Sequence, residues 1–262
     1  SNFTITDSLK DSNYCKGYMK DNEAIAELPL ANCDGAGTAG AINSTLNDMI
    51  KYLKFHMNKG KVGDKQLISE KSLAEIHSPQ VVIKDFYPWN FKEVDFFCYG
   101  LGWFVESYRG HKLVHHGGTI TGFENNLSFM PEENIGVIVF TNLNRNFAQE
   151  AINYGIYDIM LGMDRIDWSS RYLEELKKLS QAGAEQGDPG DNQKDKKPMT
   201  FSLEEYAGIY EDEGYGILEI KLDGNELKAC YNSMVMPLVH KTVDIFSMKL
   251  VDLEVEFSAK FH

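Results

Sequence analysis

The stretch between residues 97 and 142 constrains the fold most, because its apolar and polar residues alternate as they do in a β-sheet. Four strands are predicted: Phe97–Ser107, Lys112–His116, Asn125–Met130 and Ile135–Thr141. Arg109-Gly110 is typical of a tight turn, and residues 131–134 predict a second hairpin connection. Strands joined by such short connections pair antiparallel, so we expect at least three antiparallel strands of one sheet.

Helical spacing follows this region. Residues 148–161 predict an amphipathic helix that packs across the sheet. The residues expected on its packing face are Ile152, Ile156, Ile159 and Met160.

Helices are also predicted before the sheet region. Thr45 and Asp48 predict a helix N-terminus, and the apolar stripe of that helix is Leu46, Met49, Ile50, Leu53 and Met57. His56 lies off this stripe, so we expect it at the surface. A shorter helix is predicted from Ser69 to His77, before Pro79.

Residues 1–42 show few periodic apolar patterns. Gly35, Gly37 and Gly40 indicate a loop with close backbone packing. A phosphate-binding loop is the alternative, but no predicted strand precedes these glycines and no Gly-Lys-Ser/Thr follows them.

The C-terminal third follows a different plan. Residues 167–181 are helical in character, and residues 183–198 are rich in Gly, Asp, Gln and Lys, which predicts a linker. From residue 199 onward, about five short alternating segments predict a β-meander, with a hairpin turn at residues 223–225.

Composition excludes several classes of function. The net charge of −13 opposes binding to nucleic acid or to anionic membranes, and the apolar runs are too short for a membrane-spanning helix. The four cysteines, Cys15, Cys33, Cys98 and Cys230, are scattered, so we expect free, buried thiols. No spacing indicates a metal site or an organic cofactor, and we predict neither.

Three segments in this order resemble the β-lactamase-like serine hydrolases, which include class C β-lactamases, D-Ala-D-Ala carboxypeptidases and D-aminopeptidases. They are Ala39–Met49, Tyr99-Gly100-Leu101-Gly102-Trp103 and His116-Gly117-Gly118. The resemblance covers roughly residues 1–163. Residues 199–262 are similar to a lipocalin-like β-domain that accompanies such hydrolases, through Tyr206–Tyr210 and Tyr215-Gly216.

The resemblance implies a site at the His-Gly-Gly segment. His116 takes the place of the family's lysine, and the backbone N–H of Thr119 would donate to the oxyanion of acyl transfer. Gly117 and Gly118 let a ligand approach the strand closely. We expect Gly117 to contact substrate and Gly118 to belong to the catalytic residues. Gly122 and Phe123 are expected to contact substrate. His115 should point to the opposite face of the strand, and we interpret it as structural.

The resemblance also shows what this chain lacks. The family's nucleophile and base are the serine and lysine of Ser-x-x-Lys, and none of the serines here has lysine three residues later. The family's Tyr-x-Asn element is missing from its expected place as well. We therefore expect a chain that cannot hydrolyse a substrate alone.

The predicted fold is α+β: the C-terminal part of a β-lactamase-like domain over residues 1–163, a helix and linker over 164–198, and a partial β-barrel over 199–262. Two functions stay open. One is a fragment of a serine hydrolase acting on amide, ester or β-lactam bonds; the other is a non-catalytic module that binds a peptide or small ligand. The expected partners are such a substrate and the missing N-terminal part of the domain. We also expect the chain to be incomplete at both ends and to self-associate through unpaired sheet edges. The family implies a periplasmic or extracellular location.

Overall fold

The computed structural model describes residues 1–21, 24–37, 39–84, 91–144, 146–186, 197–232, 234–250 and 255–261. The chain forms two compact units, Ser1–Lys177 and Lys178–His262. The helices are α1 (Ile5–Ser8), α2 (Leu46–Met57), α3 (Glu70–Ile76), α4 (Ala148–Met160), α5 (Trp168–Gln186) and α6 (Leu203–Tyr206). Most of the predicted linker, residues 187–196, lies outside the described residues.

The first unit is built on one antiparallel sheet. Its strands are β5 (Val81–Val82), β6 (Val94–Tyr99), β7 (Phe104–Tyr108), β8 (His111–Ile120), β9 (Phe123–Met130) and β10 (Ile135–Thr141). They lie in the spatial order β10-β9-β8-β7-β6-β5, and each neighbouring pair is antiparallel. The α+β fold class and the antiparallel sheet are therefore confirmed. The described residues of this unit also form two small hairpins, β1 (Gly17–Asp21) with β2 (Ala24–Leu28), and β3 (Lys61–Val62) with β4 (Lys65–Gln66).

The turn at Arg109-Gly110 is confirmed, since both residues have positive φ, 51° and 85°. The single strand predicted over Phe97–Ser107 is wrong. The chain reverses there between β6 and β7, and Gly102 adopts φ 83° in the connection. The alternating apolar residues on both sides of this short turn hide the reversal in the sequence pattern.

Helix α4 crosses β9 and β10, but its packing face is not the predicted one. Ile152, Ile159 and Met160 are exposed, and Ile156 is only half-buried. The buried side instead carries several polar residues, among them Gln149, Asn153 and Asp158. The spacing of apolar residues could not predict this face, because its buried side chains are polar and form hydrogen bonds with polar side chains of the sheet.

Asp158 shows how a polar residue can be buried there. One carboxylate oxygen accepts hydrogen bonds from the Tyr108 hydroxyl and from Arg109, both at 2.7 Å, and the other accepts from the Trp168 indole at 2.9 Å. Burial acts to raise the pKa of Asp158, but the hydrogen bonds from these residues lower it overall. A buried carboxylate with these donors is stable as an anion.

The other face of the sheet packs against α2. Leu53, Trp103, Val114, Leu127 and Phe129 form the buried cluster there. His56 was predicted at the surface, and this is wrong: it is 6% exposed, with Nδ1 3.0 Å from Nε2 of His77. Both imidazoles also contact the ring of Trp103. The buried histidine pair replaces part of the apolar stripe, since Leu46 and Ile50 are exposed.

The N-terminal segment has more structure than its sequence pattern suggests. Residues 17–28, which show few periodic apolar patterns, form the β1–β2 hairpin, and the glycine stretch predicted to be a loop begins with a short 3-10 turn at Asp34–Ala36. The side chains of β2 are mostly exposed, so the hairpin lacks the buried alternation that would have revealed it.

The second unit is a six-stranded antiparallel meander over the described residues. Its strands are β11 (Gly208–Asp212), β12 (Gly216–Asp223), β13 (Glu226–Tyr231), β14 (Met234–Thr242), β15 (Ile245–Leu250) and β16 (Val255–Lys260), in that spatial order. The prediction of about five strands missed β11. The core of this unit is a buried cluster around Tyr206, Leu227, Met236 and Phe246.

The four thiols are free, but only Cys98 is buried, and Cys15 is exposed. The expectation of buried thiols is therefore wrong for Cys15. Among the helices of the described residues, none is both long and apolar enough to span a membrane.

Candidate active site on strand β8

The predicted site residues lie where β8 extends beyond its neighbour β7. β7 begins at Phe104, which pairs with His115. From His116 to Ile120, the strand pairing described for β8 is with β9 only. Among the described residues, this segment therefore has one open edge, on the side from which β7 is missing.

The register fixes which backbone groups face that edge. A two-residue turn, Thr121-Gly122, joins β8 to β9. The residues flanking such a turn form a hydrogen-bonded pair, and hydrogen-bonded and non-hydrogen-bonded pairs alternate along an antiparallel ladder. Thr119 and Gly117 fall in the non-hydrogen-bonded positions. Their N–H and C=O groups therefore point away from β9, to the open edge.

His116 is exposed at the start of this segment and is held by its neighbours. Its ring stacks on Phe104 with 5.2 Å between centroids. Nδ1 lies 2.5 Å from the carbonyl oxygen of Gly117, and Nε2 lies 3.1 Å from the Tyr99 hydroxyl. Because a carbonyl only accepts, Nδ1 carries the proton in the neutral ring, and Nε2 accepts from Tyr99.

The glycines differ in their surroundings. A Cβ on Gly118 would meet nothing within 4 Å, so the strand can be approached closely there. A Cβ on Gly117 would lie 3.1 Å from the Asn125 carbonyl oxygen. Gly122 lies at the turn, where its added Cβ would be 2.6 Å from Cα of Gly17. Gly122 also adopts φ 85°, which favours glycine. The backbone conformation and the close packing of this turn on β1 together explain why residue 122 is a glycine.

Phe123 also lies at this turn. Its ring is 2.9 Å from the position that a Cβ on Gly17 would take. The structure therefore groups His116, Gly117, Gly118 and Thr119 along the open edge, and places Gly122 and Phe123 at the end of the hairpin against β1.

His115 points to the opposite face of β8, toward α4. It is 5% exposed, its ring stacks on Phe104, and its Nε2 lies 3.5 Å from Glu106 Oε2. The other oxygen of Glu106 accepts a 2.9 Å hydrogen bond from the Tyr154 hydroxyl. The strand alternation that separates His115 from His116 is thus present, with one histidine in the interior and the other in solvent.

A layer of polar side chains lies between α4 and this face of the sheet. Gln149 donates to Glu124 at 3.1 Å, and Ser128 donates to Asn153 at 2.7 Å. The pKa of Glu150 is raised to about 7, mainly by burial and in part by the nearby carboxylate of Glu124, while His115 acts to lower it. The face of β8 that carries His115 therefore packs against a layer of hydrogen-bonded polar side chains, which includes Glu150 with its raised pKa.

Sequence reasoning missed the residues that hold His116. Tyr99 was identified only as part of a motif, although its position on the strand next to β7 is what brings its hydroxyl to the imidazole. Phe104 was placed in the interior of a longer strand, and the unpredicted turn before it is what sets it beside both histidines. Neither contact has a signal in local periodicity.

Within the described part of the chain, the hydrogen bonds of the His116 ring go to Tyr99 and Gly117, and neither partner is a serine or a cysteine. Across the same residues, no three His, Cys, Asp or Glu side chains lie close enough together to hold a metal ion.

Comparison with known proteins gives two family matches. The model described as Beta-lactamase matches residues 3–159, and a domain of unknown function, DUF3471, matches residues 192–262. A penicillin-binding protein homologue from Pyrococcus abyssi, described as octameric, superimposes with a TM-score of 0.52 at 18% identity, covering 100% of this chain and 52% of that one.

Two relatives in fungi are similar in sequence. Unguisins hydrolase ungD of Aspergillus violaceofuscus (strain CBS 115571) is 26% identical over 235 residues, covering 81% of this chain and 41% of that protein. Unguisins hydrolase ungD' of Aspergillus campestris (strain IBT 28561) is 26% identical over 222 residues, covering 79% and 39%. The chain therefore spans about two fifths of the length of these relatives.

Proposed function

Because this chain belongs to the β-lactamase family, we propose that it forms one wall of a serine hydrolase site that cleaves amide or ester bonds by acyl transfer. The observation that carries the proposal is the open edge of β8, where an exposed imidazole adjoins backbone groups that do not pair with β9. The relatives named as unguisins hydrolases support a hydrolytic reaction.

Each group on this edge has a role in the proposal. When a nucleophile attacks a carbonyl carbon, negative charge builds on the carbonyl oxygen, and a fixed N–H stabilises it. The N–H of Thr119 is directed to the open edge and would be one such donor. Nε2 of His116 carries no proton in the neutral ring, so it would first accept a proton in place of the Tyr99 hydrogen bond and would then return that proton to the leaving group. Gly118 would leave room for substrate.

The nucleophile is not among these groups. Since no serine in the 262 residues has lysine three residues later, we propose that Ser-x-x-Lys is supplied from outside this stretch. Nucleophile and base act as a unit, and removing them eliminates most of the rate. The chain alone would then bind substrate on β8 without turning it over.

The proposed substrates are D-amino-acid peptides, β-lactams or esters, in the manner of carboxypeptidase-like members of the family. We also propose domain boundaries at residues 1–163, 164–198 and 199–262, with the last segment a lipocalin-like domain. The division of the chain into two compact units within α5 supports a boundary in this region.

A second function is a binding module without catalysis. The observation that favours it is the open edge itself, because unpaired strand groups bind an extended peptide by adding it as a further strand. Such a module needs the backbone of Gly117 and Thr119, but it does not need His116 to move a proton.

Hydrolysis of a chromogenic β-lactam and of a D-amino-acid p-nitroanilide tests the proposal. For the chain alone we expect rates equal to buffer, with His116→Ala and a control variant, His240→Ala, unchanged. Turnover that only His116→Ala abolishes would show a nucleophile within the chain, against the proposal. Activity that appears when a Ser-x-x-Lys segment is supplied in trans, and disappears in His116→Ala, distinguishes the hydrolase from the binding module.

A further inference from the structure

The second unit contains a cavity that plays no part in the proposed hydrolase site. It has a volume of about 330 Å³, and its lining residues come from β11 to β15 and from the β11–β12 turn. Cavities of this size hold small organic molecules. The apolar part of the lining consists of Tyr210, Tyr215, Leu218, Tyr231, Met236 and Met248.

The curl of the meander encloses the cavity on one side. β11 and β16 are the two edges of the described sheet, yet the ring of Tyr210 on β11 lies 5.6 Å from that of Phe261, directly after β16. Phe261 also contacts the rings of Tyr206 and Phe246, with 5.1 and 5.5 Å between centroids. Tyr210 belongs both to this aromatic cluster and to the lining, so the cavity continues the interior of the unit beyond the cluster.

The strand register builds the walls on one face of the sheet. Tyr210 pairs with Leu218, and Leu218 pairs with Tyr231, so these three side chains lie side by side. Met236 is buried in the core of the unit and forms part of the same lining. A Cβ on Gly216 would meet nothing within 4 Å, so the start of β12 leaves the cavity open.

Two of the tyrosine hydroxyl groups that line the cavity are bonded to the backbone. Tyr210 donates to the carbonyl oxygen of Tyr206 at 2.9 Å, and Tyr231 donates to that of Tyr215 at 2.6 Å. These bonds fix both rings and use their donors. What the two residues offer a ligand is therefore the aromatic ring.

The two acidic residues at the cavity do not direct a charge into it. Glu211 pairs with Ile217 and follows Tyr210 on the strand, so its side chain lies on the opposite face. Oδ1 of Asp212 accepts from the N–H groups of Gly214 and Tyr215 in its own turn. The described lining accordingly exposes almost no polar surface. A charged group placed inside would lose its water without gaining a partner.

From the aromatic walls and the lack of polar lining together, we propose that this cavity binds an uncharged molecule with a flat aromatic body. The rings of Tyr210 and Tyr231 pack against that body, and the thioethers of Met236 and Met248 adapt to its outline. Tyr215, which is 79% exposed at the mouth, gains a contact when the ligand is present. This inference does not depend on the proposed hydrolase function.

The test uses the whole chain with ¹³C-methyl-labelled methionine and three probes of similar shape. They are uncharged 1-methylnaphthalene, the cation 1-methylquinolinium and the anion 1-naphthoate. We expect 1-methylnaphthalene to bind saturably and to shift the methyl signals of Met236 and Met248, and each ion to bind at least about 10-fold more weakly. An ion whose affinity comes within this factor, no saturable binding, or shifts confined to methionines of the first unit would each overturn the proposal.

Three variants localise the site. Leu218→Trp places a larger ring in the cavity and should weaken binding of 1-methylnaphthalene by at least about 10-fold, because that ring takes the space of the ligand. Ile217→Trp makes the matched change on the opposite, exposed face of β12 and should leave the affinity unchanged. Tyr215→Ala shortens an exposed side chain, so it should fold normally, and it should weaken binding by about 2- to 10-fold, the range for one aromatic contact.

The variants also show what would refute this site. If Ile217→Trp weakens binding as much as Leu218→Trp, the probe binds elsewhere or responds to a general change in the unit. If Tyr215→Ala leaves the affinity of 1-methylnaphthalene unchanged, the mouth of the cavity does not contact the ligand, and the assignment is wrong even where Leu218→Trp fails to fold.

Discussion

The hydroxyl of Tyr99 lies 3.1 Å from Nε2 of His116, so a residue of β6 reaches past the end of β7 to hold an imidazole on β8. Together with the Gly117 carbonyl oxygen at Nδ1, it fixes both ring nitrogens. This relationship assigns the neutral tautomer of His116, with the proton on Nδ1.

We expect the neutral His116 ring to carry its proton on Nδ1. Long-range ¹H–¹⁵N correlation spectra report this directly. His240 is an internal control, because its Nε2 lies 2.8 Å from the Val243 carbonyl oxygen and must be the protonated nitrogen. Tyr99→Phe removes the donor to Nε2 and should let the other His116 tautomer appear. A His116 signal of the Nε2–H form in the unmodified chain would contradict the assignment.

Glu150 should make the chain less stable as the pH rises. The pKa of Glu150 is about 7 in the folded chain, whereas the ordinary value is 4.5. Between pH 4.5 and pH 7 the folded state therefore binds more protons than the unfolded state. The free energy of unfolding falls as the pH rises through this range. Glu150→Gln should raise the free energy of unfolding at pH 8 by about 1–3 kcal/mol. Urea unfolding of the variant and of the unmodified chain at pH 5 and pH 8 measures this difference in the free energy of unfolding.

Glu174→Gln on the exposed side of α5 is the control for Glu150→Gln and should leave the pH dependence unchanged. A Glu150→Gln variant that is as pH-dependent as the unmodified chain would show that the buried layer behind β8 does not titrate in this range.

The His56–His77 pair should make the chain sensitive to acid. The pKa of each histidine is lowered to about 4, chiefly by burial, and the charge of His56 contributes to the lowering at His77. The unfolded chain takes up these protons near pH 6.5, so stability is lost as the pH falls from 6.5 toward 4. Between pH 6.5 and pH 4, the free energy of unfolding of the double variant His56→Leu/His77→Phe should fall by about 2–3 kcal/mol less than that of the unmodified chain. An equal loss would place the acid sensitivity elsewhere.

The antiparallel sheet, the α+β class and the Arg109-Gly110 turn were predictable because they follow from local alternation and from residues found at positive φ. The packing face of α4 was not, because Asp158 and Asn153 are buried only where Tyr108, Arg109 and Ser128 meet them. His56 was misplaced for the same reason, since its partner His77 lies 21 residues away, just after α3. The positions of His115 and His116 followed from strand alternation, whereas Tyr99 needed the tertiary fold.

The outer edge of β10 and the exposed face of α4 should cause self-association. β10 pairs with β9 on one side only in the described sheet, and Phe140, Ile152, Ile159 and Met160 are exposed on these two elements. Unpaired, uncharged strand edges bind other strands. Sedimentation velocity should show assembly that increases with concentration, and Ile159→Glu should reduce it.

Leu173→Glu is the matched control, because Leu173 is equally exposed on α5, away from β10. It should leave the assembly unchanged. A chain that stays monomeric at all concentrations would contradict the prediction.

The open edge of β8 is the proposed substrate wall, and an amide titration with N-acetyl-D-alanyl-D-alanine tests this assignment most directly. ¹H–¹⁵N spectra should show saturable shifts of the Gly117 and Thr119 amides, the two whose N–H groups face the edge. Gly118→Ala should fold normally, since the added Cβ would meet nothing within 4 Å, and it should weaken the binding. Gly155→Ala on α4 also adds a methyl group in open space, and it should leave the binding unchanged. Shifts absent from residues 116–119, or equal binding by the Gly118→Ala variant, would contradict the assignment of this edge as the site.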